Sequence, residues 1–218
     1  NTLAKAMYIK CTVIDKNYAA YFEAPFYAPQ CPLYFTNHKR KGYIHFCDEV
    51  VVKETYGDGG NNPSAGGAVY FDSSKTTFGT ARMNENAFLC TVKNALDPNG
   101  VIWWYKYGQS GYTYVDLGGC DQTIDRTYSG DWGRATYRQF KSSSPARLTM
   151  NATASGTTEN MFNGKVSICF NPFESTTWFK VTNAVSTTTG DIIVSNGTFE
   201  VAGMASFKNV GTIEVADG

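Results

Sequence analysis

Histidine, net charge and long apolar runs are what this sequence has least of. With two histidines in 218 residues, His38 and His45, any Ser-His-Asp, Cys-His or multi-histidine metal arrangement has to draw on the same two side chains. His38 lies in the basic run His38-Lys39-Arg40-Lys41, which reads as a solvated turn rather than a phosphate site. His45 shares a strand face with Cys47 and reads as packing. There is no G-x-S-x-G elbow and no C-x-x-C spacing. Lys plus Arg and Asp plus Glu both number 19, and charged residues are 17% of the chain, so no long-range field selects nucleic acid or an anionic membrane. No apolar run reaches the roughly 18 residues of a membrane helix, and no charged segment followed by an apolar one opens the chain. These absences predict a protein with no metal, no cofactor and no membrane insertion in this segment, and not an enzyme.

What is abundant points to strands. Aromatic residues are 15% of the chain, with 14 Tyr, 14 Phe and 21 Gly, the usage of short strands joined by many turns. The expectation is an all-β chain forming a single elongated domain over 1–218, long enough to bury a large core without staples.

One phrase is written twice near the C-terminus, Gly190-Asp-Ile-Ile-Val-Ser-Asn-Gly197 and Gly211-Thr-Ile-Glu-Val-Ala-Asp-Gly218. Both copies read G-x-I-x-V-x-[ND]-G, a short strand delivered into a tight turn. Their separation is about the length of one coil of a β-solenoid. The fold predicted is therefore a right-handed parallel β-helix, with Ile192 and Val194 lying beneath Ile213 and Val215; a β-sandwich or jelly roll is the alternative. The chain opens on Asn1 and stops in mid-pattern without a polar cap, which suggests a piece of a longer protein or a last coil that meets another molecule.

Upstream, residues 6–53 read as short strands separated by Pro25, Pro29, Pro32 and the basic turn. Residues 56–67, with five glycines in twelve positions, read as a flexible loop; a strand follows rather than a helix, so it is not a phosphate cradle. From Ala68 onward strands and turns alternate. Six cysteines, Cys11, Cys31, Cys47, Cys90, Cys120 and Cys169, are spread through the chain. They suit disulfides of unresolved pairing, foremost among Cys11, Cys31 and Cys47, or small apolar fillers on strands.

The candidate ligand face comes from strand parity. If Lys106 points to water, Trp104 points out with it, while Val101, Trp103, Tyr105 and Tyr107 point in. The same rule turns Tyr112, Tyr114 and Asp116 outward on the next strand, with Thr113, Val115 and Leu117 inward. A turn at Gly108–Gly111 would put Trp104, Tyr112 and Tyr114 on one two-stranded ribbon beside Lys106 and Asp116, flat rings next to polar groups, as sugar binding needs. The alternative is that the rings stack on neighbouring coils or on a covering loop. Asp116, Asp121 and Asp125 cluster around Gly118-Gly119 and read as turn-makers before they read as paired catalytic carboxylates. Asn151-Ala-Thr and Asn196-Gly-Thr are glycosylation sequons.

Several phrases in the second half carry a family likeness: Val115-Asp-Leu-Gly-Gly-Cys-Asp-Gln-Thr-Ile124, Ser144-Pro-Ala-Arg-Leu-Thr-Met150, Phe162-Asn-Gly-Lys-Val-Ser-Ile168 and the two C-terminal repeats. They resemble the passenger region of autotransporter-like bacterial surface proteins. The resemblance implies a right-handed parallel β-helix outside the cell. The functional expectation is a non-enzymatic extracellular or cell-surface segment, an adhesin or scaffold that contacts glycans or a host surface. A self-assembling subunit of an extracellular filament or layer is one alternative, and a carbohydrate-active enzyme or lectin-like β-sandwich is another.

Overall fold

A computed structural model of the chain describes residues 7–10, 19–36, 43–58, 68–83, 87–104, 113–129 and 138–216. Among these residues there are strands and no helix. In chain order they begin β1 (Met7–Lys10), β2 (Ala19–Phe22), β3 (Phe26–Thr36), β4 (Tyr43–Phe46), β5 (Val50–Asp58), β6 (Ala68–Phe71), β7 (Thr76–Thr77) and β8 (Thr80–Met83). They continue as β9 (Ala87–Cys90), β10 (Val101–Trp104), β11 (Thr113–Asp116), β12 (Gln122–Ile124), β13 (Arg126–Ser129), β14 (Arg138–Met150) and β15 (Gly156–Thr158). The last are β16 (Met161–Phe170), β17 (Trp178–Thr182), β18 (Val185–Thr188), β19 (Ile192–Val194), β20 (Thr198–Ala202), β21 (Ser206–Phe207) and β22 (Ile213–Val215).

Every pairing among them is parallel. Parallel neighbours cannot be joined by a tight hairpin, and here each crossover is itself a strand on an opposite face. The first sheet runs β1-β3-β5-β8-β10-β13, the second runs from β2 through β4, β6, β9, β11, β14 and β16 to β18 and β21, and a third holds β15, β17 and β20. The chain thus winds as a parallel β-solenoid of about seven turns. The sandwich and jelly-roll alternative is excluded, since those folds are built from antiparallel sheets.

The repeated C-terminal phrase is one coil, as its spacing predicts: Ile192 pairs with Ile213 and Val194 with Val215. Elsewhere the period is not constant. It is 19 residues from Ala68 to Ala87 and 27 from Ala87 to Tyr114, because strands keep their register while the turns between them change length. Ile213 and Val215, 64% and 68% exposed, continue the inward columns, with no described strand on their far side.

Inward positions form one buried cluster from Leu33 to Val194. Stacking repeats rings along the core: Phe22, Phe46 and Phe71 follow one another on successive rungs at 5.2 and 6.0 Å, Phe140 and Phe162 at 5.7 Å, and Phe207 reaches Phe162 at 6.0 Å past the intervening Ser186 of β18. Each such pair adds about 0.5–1.5 kcal/mol beyond burial.

Two sequence expectations are corrected here. Pro29 and Pro32 do not separate strands but lie within β3, where the register with β5 shifts between Ala28 and Pro32; a residue without an N–H is tolerated where ladder bonds are interrupted. Pro145 does the same in β14, where register shifts between Ser142 and Ala146. The second correction concerns disulfides. Cys31, Cys47, Cys90, Cys120 and Cys169 are free thiols, with Cys31 on the first sheet and Cys47 at the end of a second-sheet strand; Cys11 lies outside the described residues. Of the loop expected over 56–67, Tyr56, Gly57 and Asp58 belong to β5, and the remainder is outside the described residues, as is the basic run 38–41.

The phrase around Gly118-Gly119 now has a physical reason. Gly118 has φ +61, and a Cβ there would lie 2.0 Å from the Cys90 carbonyl oxygen, so only glycine lets the turn lie against the coil below. Gln122 is buried. Its Oε1 accepts from the Leu96 N–H, and its Nε2 donates to the carbonyls of Val92 and Cys120.

Candidate ligand-binding face

The three-ring ribbon expected from parity does not form. β10 pairs with β8 and β13 on the first sheet, whereas β11 pairs with β9 and β14 on the second, so Trp104 and Tyr114 sit on different faces. Within β10 the parity is also reversed. Ile102 and Trp104 are fully buried and Val101 and Trp103 are partly exposed. Trp104 packs edge-on against Phe140 at 5.2 Å and donates its indole N–H to the Thr127 hydroxyl one coil above. A surface ligand cannot reach it. Lys106 and Tyr112, with Tyr105, Tyr107 and Gly108–Gly111, lie outside the described residues.

On β11 the parity holds. Thr113, Val115 and Leu117 are buried, and Tyr114 and Asp116 turn outward. Register places them in two outward columns on the second sheet. One runs Tyr43, Ala68, Ala87, Tyr114, Gln139, Met161; the other runs Tyr21, His45, Tyr70, Leu89, Asp116, Lys141, Asn163, Thr187. Steps of about 4.8 Å bring each side chain against the next.

The columns divide by chemistry. At one end the His45 ring is sandwiched between Tyr21 at 4.6 Å and Tyr70 at 4.2 Å, with Tyr43 edge-on to Tyr70 at 5.6 Å. Nδ1–H of His45 donates to Asp72 Oδ2 at 2.7 Å, which fixes the ring in its slot. The centre is low and apolar: Ala68 and Ala87 turn outward yet are buried, flanked in the columns by Tyr43, Tyr70, Leu89 and Tyr114. Beyond it the Lys141 ammonium lies 3.6 Å from the Tyr114 ring centroid and 3.6 Å from Asp116 Oδ2. A lysine thus stands beside Tyr114 and Asp116, and it is Lys141. Farther on, the Asn163 amide donates to Gln139 Oε1 at 2.7 Å and accepts from the Thr187 N–H and hydroxyl.

Burial first, then Asp116 and the neighbouring Tyr70 and Tyr43, push the Tyr114 phenol above its ordinary value. The Tyr70 phenol is raised by burial and then by Tyr43, Asp72, Asp116 and Tyr21. Both stay neutral at physiological pH, as donors and acceptors for hydroxyl groups. The Cys47 thiol is also pushed up, by lost solvation and then by Asp72 and Glu23, which leaves it a poor nucleophile beside His45.

Of the three acids around Gly118-Gly119, Asp116 makes the turn contact expected of it, accepting from the Gly118 N–H, whereas Asp121 and buried Asp125 accept from the Arg147 and Thr153 N–H groups of the next coil, and Asp125 pairs with Arg126 at 2.7 Å. No group of three or more His, Cys, Asp or Glu able to hold a metal occurs among the described residues.

A second outward ladder occupies the first sheet. Arg82 pairs with Glu54 at 3.4 Å and lies 4.6 Å above the Trp103 ring, which stacks on Tyr128 at 5.6 Å. Sequence reasoning missed Tyr21, Tyr43, Tyr70 and Lys141 because what joins them is coil register, not adjacency. The alternation Tyr43-x-His45 and the lone Tyr70 were the available signals.

No family model matches the chain, and neither does any curated protein or solved structure.

Proposed function

We propose that the chain is a non-enzymatic segment of an extracellular surface protein, an adhesin or scaffold related to the autotransporter-like passengers that its C-terminal phrases resemble. Its glycan contact is the outer face of the second sheet. The supporting observation is the run from Tyr21 to Lys141 on a rigid parallel sheet: Tyr21, 61% exposed at the end of its stack, the low apolar centre over Ala68 and Ala87, and the phenol, ammonium and amide groups around it, the mixture that sugars with C–H faces and hydroxyls require. Each ring contributes about 1 kcal/mol, so a single copy binds weakly and many copies on a surface bind usefully. A glycan array probed with the protein tests this reading. Binding should fall for Tyr21→Ala and for Tyr114→Ala, and binding untouched by both substitutions overturns it.

A second reading, self-assembly into a filament or layer, is favoured by the exposure of Ile213 and Val215 on β22, because apolar strand positions left in water pair readily with another strand set. Light scattering at the monomer mass across a concentration series rejects it.

A further inference from the structure

Rings stacked rung on rung present their edges to solvent, because their faces are covered by the neighbours above and below. That is the state of His45 between Tyr21 and Tyr70, and of Trp103 between Arg82 and Tyr128. Some outward rings among the described residues differ, Tyr27 on β3 and Trp178 on β17 among them. Trp178, the first residue of β17 on the third sheet, is 41% exposed, and among the described residues no ring stacks on it. Its strand partner across the rung is Thr198, and on the other side Ser155 Oγ accepts from the Trp178 backbone N–H at 3.0 Å. Both neighbours are too small to cover an indole.

The turn leading into β17 adds a second ring. Phe173 is 83% exposed, and the turn closes when the Thr177 N–H donates to the Glu174 carbonyl at 3.0 Å. Phe173 and Trp178 therefore flank the two ends of one tight corner. Glu174, Ser175 and Thr176 between them are exposed. Lys180, the next outward residue on β17, is paired with Glu200 at 2.8 Å. Nothing about packing requires two large rings at this corner, and leaving them in water forgoes the burial that Trp104 enjoys.

We propose that this corner is a carbohydrate-stacking site for neutral oligosaccharides, with Trp178 as the platform, Phe173 as the flanking ring, and Ser155, Thr198 and Glu174 as hydroxyl partners. Open ring faces take the C–H face of a pyranose, and the hydroxyls and carboxylate around them take its equatorial hydroxyls. Two carboxylates, Glu174 and Glu200, against the one ammonium of Lys180 disfavour an anionic sugar. This site is separate from the face of the second sheet and does not depend on it.

The test is calorimetric titration of the full chain with neutral gluco-, manno- and chito-oligosaccharides and with oligogalacturonate as the acidic comparison, a readout that does not depend on the indole being replaced. A neutral oligosaccharide should give a saturable heat of binding, Trp178→Ala should weaken its binding about tenfold or more, and Trp178→Phe should restore part of it. Phe173→Ala should weaken it less. The titrations are repeated in a Tyr21→Ala, Tyr114→Ala background, where the second-sheet face is disabled, and the loss on Trp178→Ala should persist there. Unchanged melting of Trp178→Ala is expected for an exposed side chain, and Trp178→Phe carries the test if the alanine variant melts early. Neutral binding that in the doubly substituted background survives Trp178→Ala undiminished, a response to the acidic probe alone, or no response to any probe overturns the proposal.

Discussion

At the scale of single residues, Gln122 shows how a coil is tied to the next. Its amide satisfies the Leu96 N–H and the carbonyls of Val92 and Cys120 from inside the solenoid. Gln122→Leu keeps the volume and strands those backbone groups away from water, which costs about 1–3 kcal/mol for a buried group left unpaired. A denaturant melt should show that loss, and a variant as stable as the parent would mean that water reaches the site. The phrase containing Gln122 was visible in the sequence as a family-like motif. Its reason was not, because the three partners lie up to 30 residues away. Trp104 shows the opposite failure. Val101-Ile102-Trp103-Trp104 offers an apolar face at either parity, so only the coils above and below decide which tryptophan is inside. The Thr127 hydroxyl waiting for an indole N–H is one such determinant and could not be read from β10.

At the scale of elements, parallel register converts scattered tyrosines into one electrostatic unit. Tyr70 and Tyr114 both have raised phenol values, chiefly from burial; Tyr43 and Asp116 add to both, and Tyr70 adds to Tyr114. A phenol whose folded value lies above its unfolded value supports folding fully below about pH 10, its ordinary value, and that support is lost as pH climbs through the folded value. An ultraviolet titration should show phenols ionising above the ordinary tyrosine range, with the melting temperature falling in the same range. All phenols ionising together near their ordinary value, with no change in melting, would contradict it. Strand existence and the inward and outward pattern of β11 were legible because alternation there is clean: Thr113, Val115 and Leu117 against Tyr114 and Asp116. Prolines were read as breaks because a sequence does not show where a ladder has a register shift to receive them, as at Ala28/Pro32.

At the scale of the whole molecule, the solenoid makes neighbours of residues 19 to 27 positions apart, and its outer surface is a set of columns. Columns of stacked rings stiffen the faces. Rings that escape stacking, Trp178 above all, are where a ligand finds an open plane. The C-terminal repeat revealed the architecture because two copies happen to share a period; the remaining coils vary in length and left no such trace. Which rings face outward underlies both the glycan face and the corner site, and it is tested most directly by iodide quenching of two variants that each keep a single tryptophan, Trp104 or Trp178. The structure predicts blue-shifted, quencher-resistant emission from Trp104 and red-shifted, readily quenched emission from Trp178. Equal quenching of the two, or Trp104 quenched more readily, would contradict the register on which the outer columns rest.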